Sequence, residues 1–277
     1  FKVLPDSNNA EWTMSLTLIN RTIEKDPLYA FLDKRSTNRK KYKNDPLSLP
    51  EAKALEETAF SIGEGAVHLV TNRFQESQIG EISSRNERVL LESKILHDSF
   101  FSQLVWTEQE EHTKKQGLYF KTLELKGPPA FLFKLFRDWS ILSVFNRIGI
   151  SKFVAKQNSV IWGSGSAHGI ISMPGDSVKD LISAGRILQR LWLTVTSMNM
   201  YLQPIGGVVY LARLVKSGTV SGLTDEHKAL VLNGYDSLAD IFKCENSKIL
   251  MLFRIGKASP PSATSSRLGP DIKYMKT

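Results

Sequence analysis

The strongest constraint on the fold is a buried strand followed by one long helix. Ser166 to Met173 is a short apolar run, which predicts a strand covered on both faces. Pro174-Gly175-Asp176 ends that run, and Asp176 or Ser177 is a suitable N-cap for a helix from Val178 to Met200. The sequence therefore predicts a sheet with a long helix packed against it.

The remaining segments follow no regular alternation of strand and helix. Short apolar runs predict strands at Ala66 to Val70 and Ile249 to Ile255. Apolar residues at helical spacing predict the helices, which are Thr13 to Asp33 (two, interrupted near Asp26-Pro27), Glu51 to Ile62, Arg73 to about Trp106 (unbroken or once broken), Phe131 to Ile148 and Asp225 to Phe242. Gly117 to Ala130 is predicted as a loop. No Gly-rich turn opens a helix, so the pattern favours an α+β fold over a doubly wound parallel sheet, with more helix than strand.

The chain of 277 residues, 42% of them hydrophobic, is long enough to bury a core, and we expect one domain over residues 1–277 with an extended tail at 257–277. The residues after Phe1 lack an initiator Met and a secretion signal, which predicts a fragment without its upstream part. The lone Cys244 favours a reducing cytoplasm. Arginines interrupt every apolar run before it reaches the roughly 18 residues of a membrane helix, so no membrane partner is expected.

A net charge of +8 attracts nucleic acid, an acidic partner or a phosphorylated ligand alike. The densest basic run, Lys34 to Lys43, has no interleaved aromatic residues for base stacking. The charge therefore favours a phosphate ligand over nucleic acid.

Within that run, Arg35, Thr37 and Arg39 are spaced two apart, so an extended chain points all three the same way. Guanidinium groups and a hydroxyl form charge-assisted hydrogen bonds to phosphate. The same run also has the composition of a solvated basic surface, and both interpretations stand at this point.

Two further segments carry candidate residues. In Gln203-Pro204-Ile205-Gly206-Gly207 the glycines allow a ligand close to free backbone N–H groups, or they are only a helix stop followed by a turn. Lys257 and Arg267, beyond the last strand, complete a phosphate site or are solvated tail charges.

Other chemistries lack support in the sequence. Ser164 lacks the spaced glycines of a nucleophile elbow, which argues against a hydrolase. The five histidines show no ligand spacing, so no metal site is expected, and His168 is predicted to be a core residue. Trp139, Trp162 and Trp192 are predicted to be packing residues.

Taken in order, these segments resemble the FMN-binding nitroreductase family, especially its divergent double-length or fused branch, which includes flavin-sequestering members and proteins joined to an adenylating domain. Arg35-Ser36-Thr37-Asn38-Arg39 is similar to the family's Arg-x-Ser/Thr-x-Arg phosphate motif. The segment Ser183 to Leu193 resembles the branch's central helix. Gln203 to Gly207 is similar to the loop that meets the flavin, and Ile255-Gly256 with Arg267 resembles the closing strand and tail.

The resemblance implies an antiparallel sheet wrapped by helices and FMN bound between two similar halves. It also implies hydride transfer from NAD(P)H through flavin N5 to a small-molecule acceptor. The flavin then carries the chemistry, so no catalytic side chain is expected. Arg35, Thr37, Arg39, Lys257 and Arg267 would face the phosphate. Pro204, Ile205, Gly206 and Gly207 would face the ring, with the Gly206 N–H at N5. The partner would be a second copy, an upstream half or a fused domain.

The sequence departs from the family in one respect. The early Ala-Pro-Ser and Asn, Gln-Pro-Trp pattern that touches the flavin is absent. Two functions therefore stay open: an FMN-dependent oxidoreductase, or a binding domain that stores flavin or pairs with an enzyme without turnover.

Overall fold

The computed structural model describes residues 2–3, 14–15 and 24–269 of the chain. The strands are β1 (Lys2–Val3), β2 (Met14–Ser15), β3 (Ala66–Val70), β4 (Leu104–Val105), β5 (Leu118–Tyr119), β6 (Ala167–Met173), β7 (Tyr201–Pro204) and β8 (Lys248–Gly256). The helices are α1 (Leu49–Glu56), α2 (Arg73–Glu92), α3 (Lys94–Ser102), α4 (Glu108–Lys114), α5 (Pro128–Leu135), α6 (Trp139–Arg147), α7 (Ile150–Trp162), α8 (Val178–Ser197), α9 (Gly206–Lys216) and α10 (Asp225–Phe242). Two 3-10 turns are Pro27–Phe31 and Phe120–Leu123.

The central sheet has the strand order β3-β6-β8-β7, and every neighbouring pair in it is antiparallel. Along β8 the buried side chains of Phe253 and Ile255 face one core cluster, whereas Leu252 belongs to a second cluster on the opposite face. Helices α1 and α8 supply the first cluster, and α2, α9 and α10 supply the second. The predicted α+β class, an antiparallel sheet wrapped by more helix than strand, is confirmed.

Helix α8 begins and packs for reasons visible in its sequence. Ser177 and Asp180 form a capping box, in which the side chain of each residue accepts a hydrogen bond from the backbone N–H of the other. Ala184, Ile187 and Leu191 recur at helical spacing and are buried against the sheet. Of the two N-cap candidates, Ser177 is therefore the one the structure uses.

Several predicted boundaries are wrong. The helices expected between Thr13 and Asp33 are replaced, where the structure describes them, by strand β2 and the 3-10 turn Pro27–Phe31, while residues 16–23 lie outside the described residues. Pro27 with the Asp26 cap favours that short turn, because the Asp26 carboxylate accepts the Leu28 N–H. The long segment from Arg73, expected as one helix or as a helix broken once, is broken once, at Ser93, into α2 and α3.

Six further elements were not expected from the sequence: β1, β4, α4, α7, β7 and α9. The single helix expected from Phe131 to Ile148 is divided into α5 and α6. The predicted loop from Gly117 to Ala130 also contains β5, a 3-10 turn and the start of α5. Helix α9 begins with two poor helix formers, but Val208, Val209, Leu211 and Ala212 are buried along its length. Tertiary burial thus overrides local propensity in this segment.

Close contact between α2 and α7 gives a stability prediction. A Cβ at Gly80 would lie 2.4 Å from the carbonyl oxygen of Ser159 and 2.6 Å from the backbone nitrogen of Gly163. Gly80→Ala should therefore lower the free energy of unfolding by about 2 kcal/mol, because the two backbones must separate. Urea denaturation measures the change.

Gly185→Ala on α8 is the matched control. A Cβ there meets nothing within 4 Å, so alanine should raise stability by about 0.5 to 1 kcal/mol through its higher helix propensity. Equal effects of the two substitutions would contradict the packing of α2 on α7.

Candidate functional site

The basic segment, residues 34–43, follows the first 3-10 turn as an irregular stretch that lies against the end of β8. Tyr42 covers Gly256, where an added Cβ would come within 2.9 Å of the tyrosine side chain. The backbone N–H of Lys43 donates to the carbonyl of Lys257 at 2.8 Å. The basic segment is therefore fixed to the sheet.

Arg35 lies half-buried in the basic segment, with its guanidinium carbon 4.3 Å from the centre of the Trp192 ring. Its Nε atom is buried and has no hydrogen-bond partner among the described residues. Burial lowers the pKa of Arg35, and the charge of Arg267 lowers it further. An anion placed here would satisfy the donor and relieve the repulsion between the two cations.

Arg39 is oriented by hydrogen bonds instead. Its Nη1 donates to the carbonyl oxygen and to Oγ1 of Thr122, at 3.3 and 3.2 Å. Burial lowers the pKa of Arg39, and the neighbouring Tyr42 and Glu124 partly offset this. The half-buried Thr37 lines the same cavity as Arg35 and Arg39.

The tail strap, residues 259–267, folds back over the basic segment. Arg267 donates to the carbonyls of Leu32 and Arg35 at 2.8 and 2.6 Å. Further hydrogen bonds along the tail strap run from Asn38 Nδ2 to the carbonyl of Ser259, from Lys40 Nζ to the carbonyl of Pro260, and from the N–H and hydroxyl of Ser262 to the Glu124 carboxylate. The tail strap therefore forms a wall of the site.

The anion cavity, about 410 Å³ in volume, lies between the basic segment, Thr122 and residues 263–267 of the tail strap. Four basic residues line it, Lys34, Arg35, Arg39 and Arg267, against one carboxylate, Asp33. Its volume is within the usual range of small-molecule sites. The excess of cations and the free N–H of Arg35 suit a phosphate group.

Arg254, on β8, links the basic segment to β7. It is fully buried, and its Nε donates to Gln203 Oε1 while its Nη2 donates to the carbonyl of Lys40, both at 2.8 Å. Its Nη1 donates to Ser164 Oγ at 2.8 Å and to the carbonyl of Ile161. Burial lowers the pKa of Arg254 to about 10, so at neutral pH it keeps its charge and all its donors.

The glycine pair, Gly206 and Gly207, lies at the start of α9 and does not line the anion cavity. Ile205 caps that helix without a side-chain hydrogen bond, which leaves its first N–H groups available to a ligand. Gly206 adjoins Met251, five residues along β8 from Gly256. Pro204 ends β7 beside Phe253, and Ile205 is buried.

Three other residues considered in the sequence analysis, Lys257, Ser164 and His168, lie outside the lining of the anion cavity. Lys257 is exposed and does not line the anion cavity. The Ser164 hydroxyl donates to Ile161 and accepts from Arg254, so it is part of the packing. His168 is fully buried beside Glu76, as a core residue would be.

Within the described part of the chain, no three His, Cys, Asp or Glu side chains cluster as metal ligands. None of the helices described is both long and apolar enough to cross a membrane.

Thr122, Glu124, Trp192 and Arg254 shape the site but were not expected from the sequence. Each lies more than 80 positions from the basic-segment residue it contacts. Trp192 lies in the Ser183 to Leu193 segment noted above, but nothing in that segment indicates a contact with Arg35. Their only sequence signal is indirect: Arg254 interrupts an otherwise apolar strand, which marks a buried cation that needs partners.

Comparison with known proteins finds similarity in structure. No protein-family model matches the chain, and no curated protein matches it. An FMN-bound nitroreductase from Bacteroides fragilis is 9% identical with a TM-score of 0.45, covering 91% of this chain and 100% of its own. An FMN-dependent nitroreductase from Clostridium difficile is 9% identical with a TM-score of 0.47, over 91% and 100%. The NADPH:FMN oxidoreductase from Vibrio harveyi, complexed with NAD+, is 9% identical with a TM-score of 0.47, covering 91% of this chain and 80% of its own.

These similarities extend over most of the chain, at identities of 9% and TM-scores below 0.5. No property of these proteins is carried over to this chain on that basis. The site rests on the contacts of this chain's own side chains.

Proposed function

We propose that this chain is an FMN-dependent oxidoreductase domain in which the basic segment and the tail strap hold the FMN phosphate. One observation carries the proposal: Arg35, Thr37, Arg39 and Arg267 line a single cavity, although Arg267 is more than 200 residues from the other three. A solvated basic surface would not leave the Nε of Arg35 buried and unpaired. The arrangement supports the anion-binding interpretation of the basic run.

Each residue has a defined part in holding the phosphate. Arg35 and Arg39 offer guanidinium donors, and Thr37 offers a hydroxyl. Arg267 adds a third guanidinium from the tail strap and reduces access of water. A phosphate monoester carries close to two negative charges at neutral pH, which would offset both the burial and the repulsion from Arg267 that lower the pKa of Arg35.

The glycine pair is proposed for the other end of the ligand. Unpaired backbone N–H groups at the start of α9 are donors of the kind a flavin ring nitrogen accepts. When bound, FMN would supply hydride transfer between NAD(P)H and a small-molecule acceptor. The protein's part is to anchor the phosphate and to present donors to the ring.

The cellular location and the partner of the domain also remain predictions. We propose a cytoplasmic location, and a partner half supplied by a second copy, an upstream segment or a fused domain. The resemblance motivates the partner, because in the family FMN lies between two similar halves.

A flavin titration followed by reduction tests the proposed function. We expect the protein to bind FMN more tightly than riboflavin, which lacks the phosphate, and to bleach the flavin absorbance when NADPH is added without oxygen. Bound FMN that NADPH leaves oxidised would indicate the storage function instead. Equal affinity for FMN and riboflavin would contradict the phosphate site.

A further inference from the structure

The two arginines of the basic segment are oriented by different means. The guanidinium of Arg39 is held by two hydrogen bonds to Thr122. The side chain of Arg35 makes no hydrogen bond or ion pair with any residue that the structure describes, and its one close partner there is the face of Trp192. Trp192 is buried on α8, with 8% of its surface exposed, so the ring is a fixed surface.

A guanidinium on an aromatic face keeps its donors free. All five N–H bonds lie in the plane of the group, so a guanidinium stacked parallel to the ring directs them past the ring. The indole covers one face of Arg35 and removes most rotations of its long side chain before a ligand arrives. The cation–π attraction also offsets part of the burial cost that lowers the pKa of Arg35.

From this geometry we infer that Trp192 is a positioning residue, which sets the Arg35 guanidinium edge-on to the phosphate. The inference rests on the proposed function, and it assigns a role to a helix residue that touches no ligand. It also explains why a tryptophan is tolerated with its indole Nε1 buried and without a hydrogen-bond partner among the described residues. The face of the ring is the part that is used.

A comparison of Trp192→Leu with Trp192→Phe tests the inference. Phenylalanine keeps an aromatic face and removes no hydrogen bond, whereas leucine fills space without the face. We expect Trp192→Leu to weaken FMN binding about fivefold to tenfold and Trp192→Phe to weaken it by less than about twofold. Riboflavin affinity should be the same in both variants, since the stack acts only on the phosphate.

A double-mutant cycle with Arg35→Ala separates positioning from general damage. Once Arg35 is absent, Trp192→Leu should cause no further loss of FMN affinity. Trp139→Leu, which removes a tryptophan beside His97 in a different cluster, is the control and should leave FMN affinity unchanged.

The outcomes distinguish the inference from the proposed function. If the unsubstituted protein binds FMN and riboflavin equally, the phosphate site itself is wrong. If the unsubstituted protein prefers FMN and Trp192→Leu keeps that preference, only the role of Trp192 is overturned. Additive losses in the cycle, or a Phe variant as weak as the Leu variant, would also overturn it.

Discussion

Replacing both Arg35 and Arg39 with alanine should weaken FMN binding by about 100-fold to 10,000-fold. Each guanidinium is expected to make charge-assisted hydrogen bonds worth about 1.5 to 3 kcal/mol, and tenfold in affinity corresponds to about 1.4 kcal/mol. Arg35→Ala alone is the cleaner change, because its side chain makes no hydrogen bond to a described residue that the substitution would break. Isothermal titration with FMN and with riboflavin gives the phosphate-dependent part of the loss.

Lys41→Ala provides the control for net charge. Lys41 belongs to the same basic segment, is exposed and does not line the anion cavity. Its removal should change FMN affinity by less than about twofold, as expected for a screened surface charge. If Lys41→Ala weakens binding as much as Arg35→Ala, the basic segment acts as a diffuse positive surface and the site is refuted.

Replacing Arg254 with methionine should lower the free energy of unfolding by about 3 kcal/mol. The substitution leaves Gln203 Oε1 and the carbonyl of Lys40 without the donors that now pair them. It also removes the cation from the face of Tyr42, which lies 4.1 Å from the guanidinium carbon. Urea denaturation monitored by circular dichroism measures the change.

Arg213→Met is the matched change at the surface. Arg213 is partly exposed, and its carboxylate partner Asp176, at 3.9 Å, is more exposed still. Such pairs contribute little, so stability should change by less than about 0.5 kcal/mol. The loss of stability caused by Arg254→Lys should be intermediate between those of Arg254→Met and Arg213→Met, since lysine keeps the charge but has no planar set of five donors. Comparable losses from Arg254→Met and Arg213→Met would contradict the account of the buried network.

Local sequence patterns predicted the parts of the fold that are determined locally. The N-cap at Ser177 and the strand expected from Ser166 to Met173 both follow from short-range preferences. Helix α9 was missed because Gly206 and Gly207 indicate a turn, and the burial that stabilises the helix comes from distant parts of the chain.

The candidate site also combines features that the local sequence predicts with features that depend on distant contacts. The spacing of Arg35, Thr37 and Arg39 is local, so their common direction could be inferred from the sequence. That Lys257 and Arg267 complete a phosphate site was one of two interpretations of the tail, and of the two only Arg267 lines the cavity. The stack of Arg35 on Trp192 could not be predicted, because nothing in the intervening 156 residues determines that contact. The role of Gly206 and Gly207 at a flavin ring remains a prediction.

A crystal structure of the protein grown with FMN tests the central claim most directly, through the position of one phosphorus atom. The account predicts the phosphate in the cavity between the guanidiniums of Arg35 and Arg39, within hydrogen-bond distance of both, with Arg267 closing over it. FMN bound with its phosphate outside that cavity, and with Arg35 Nε still unpaired, would contradict the account.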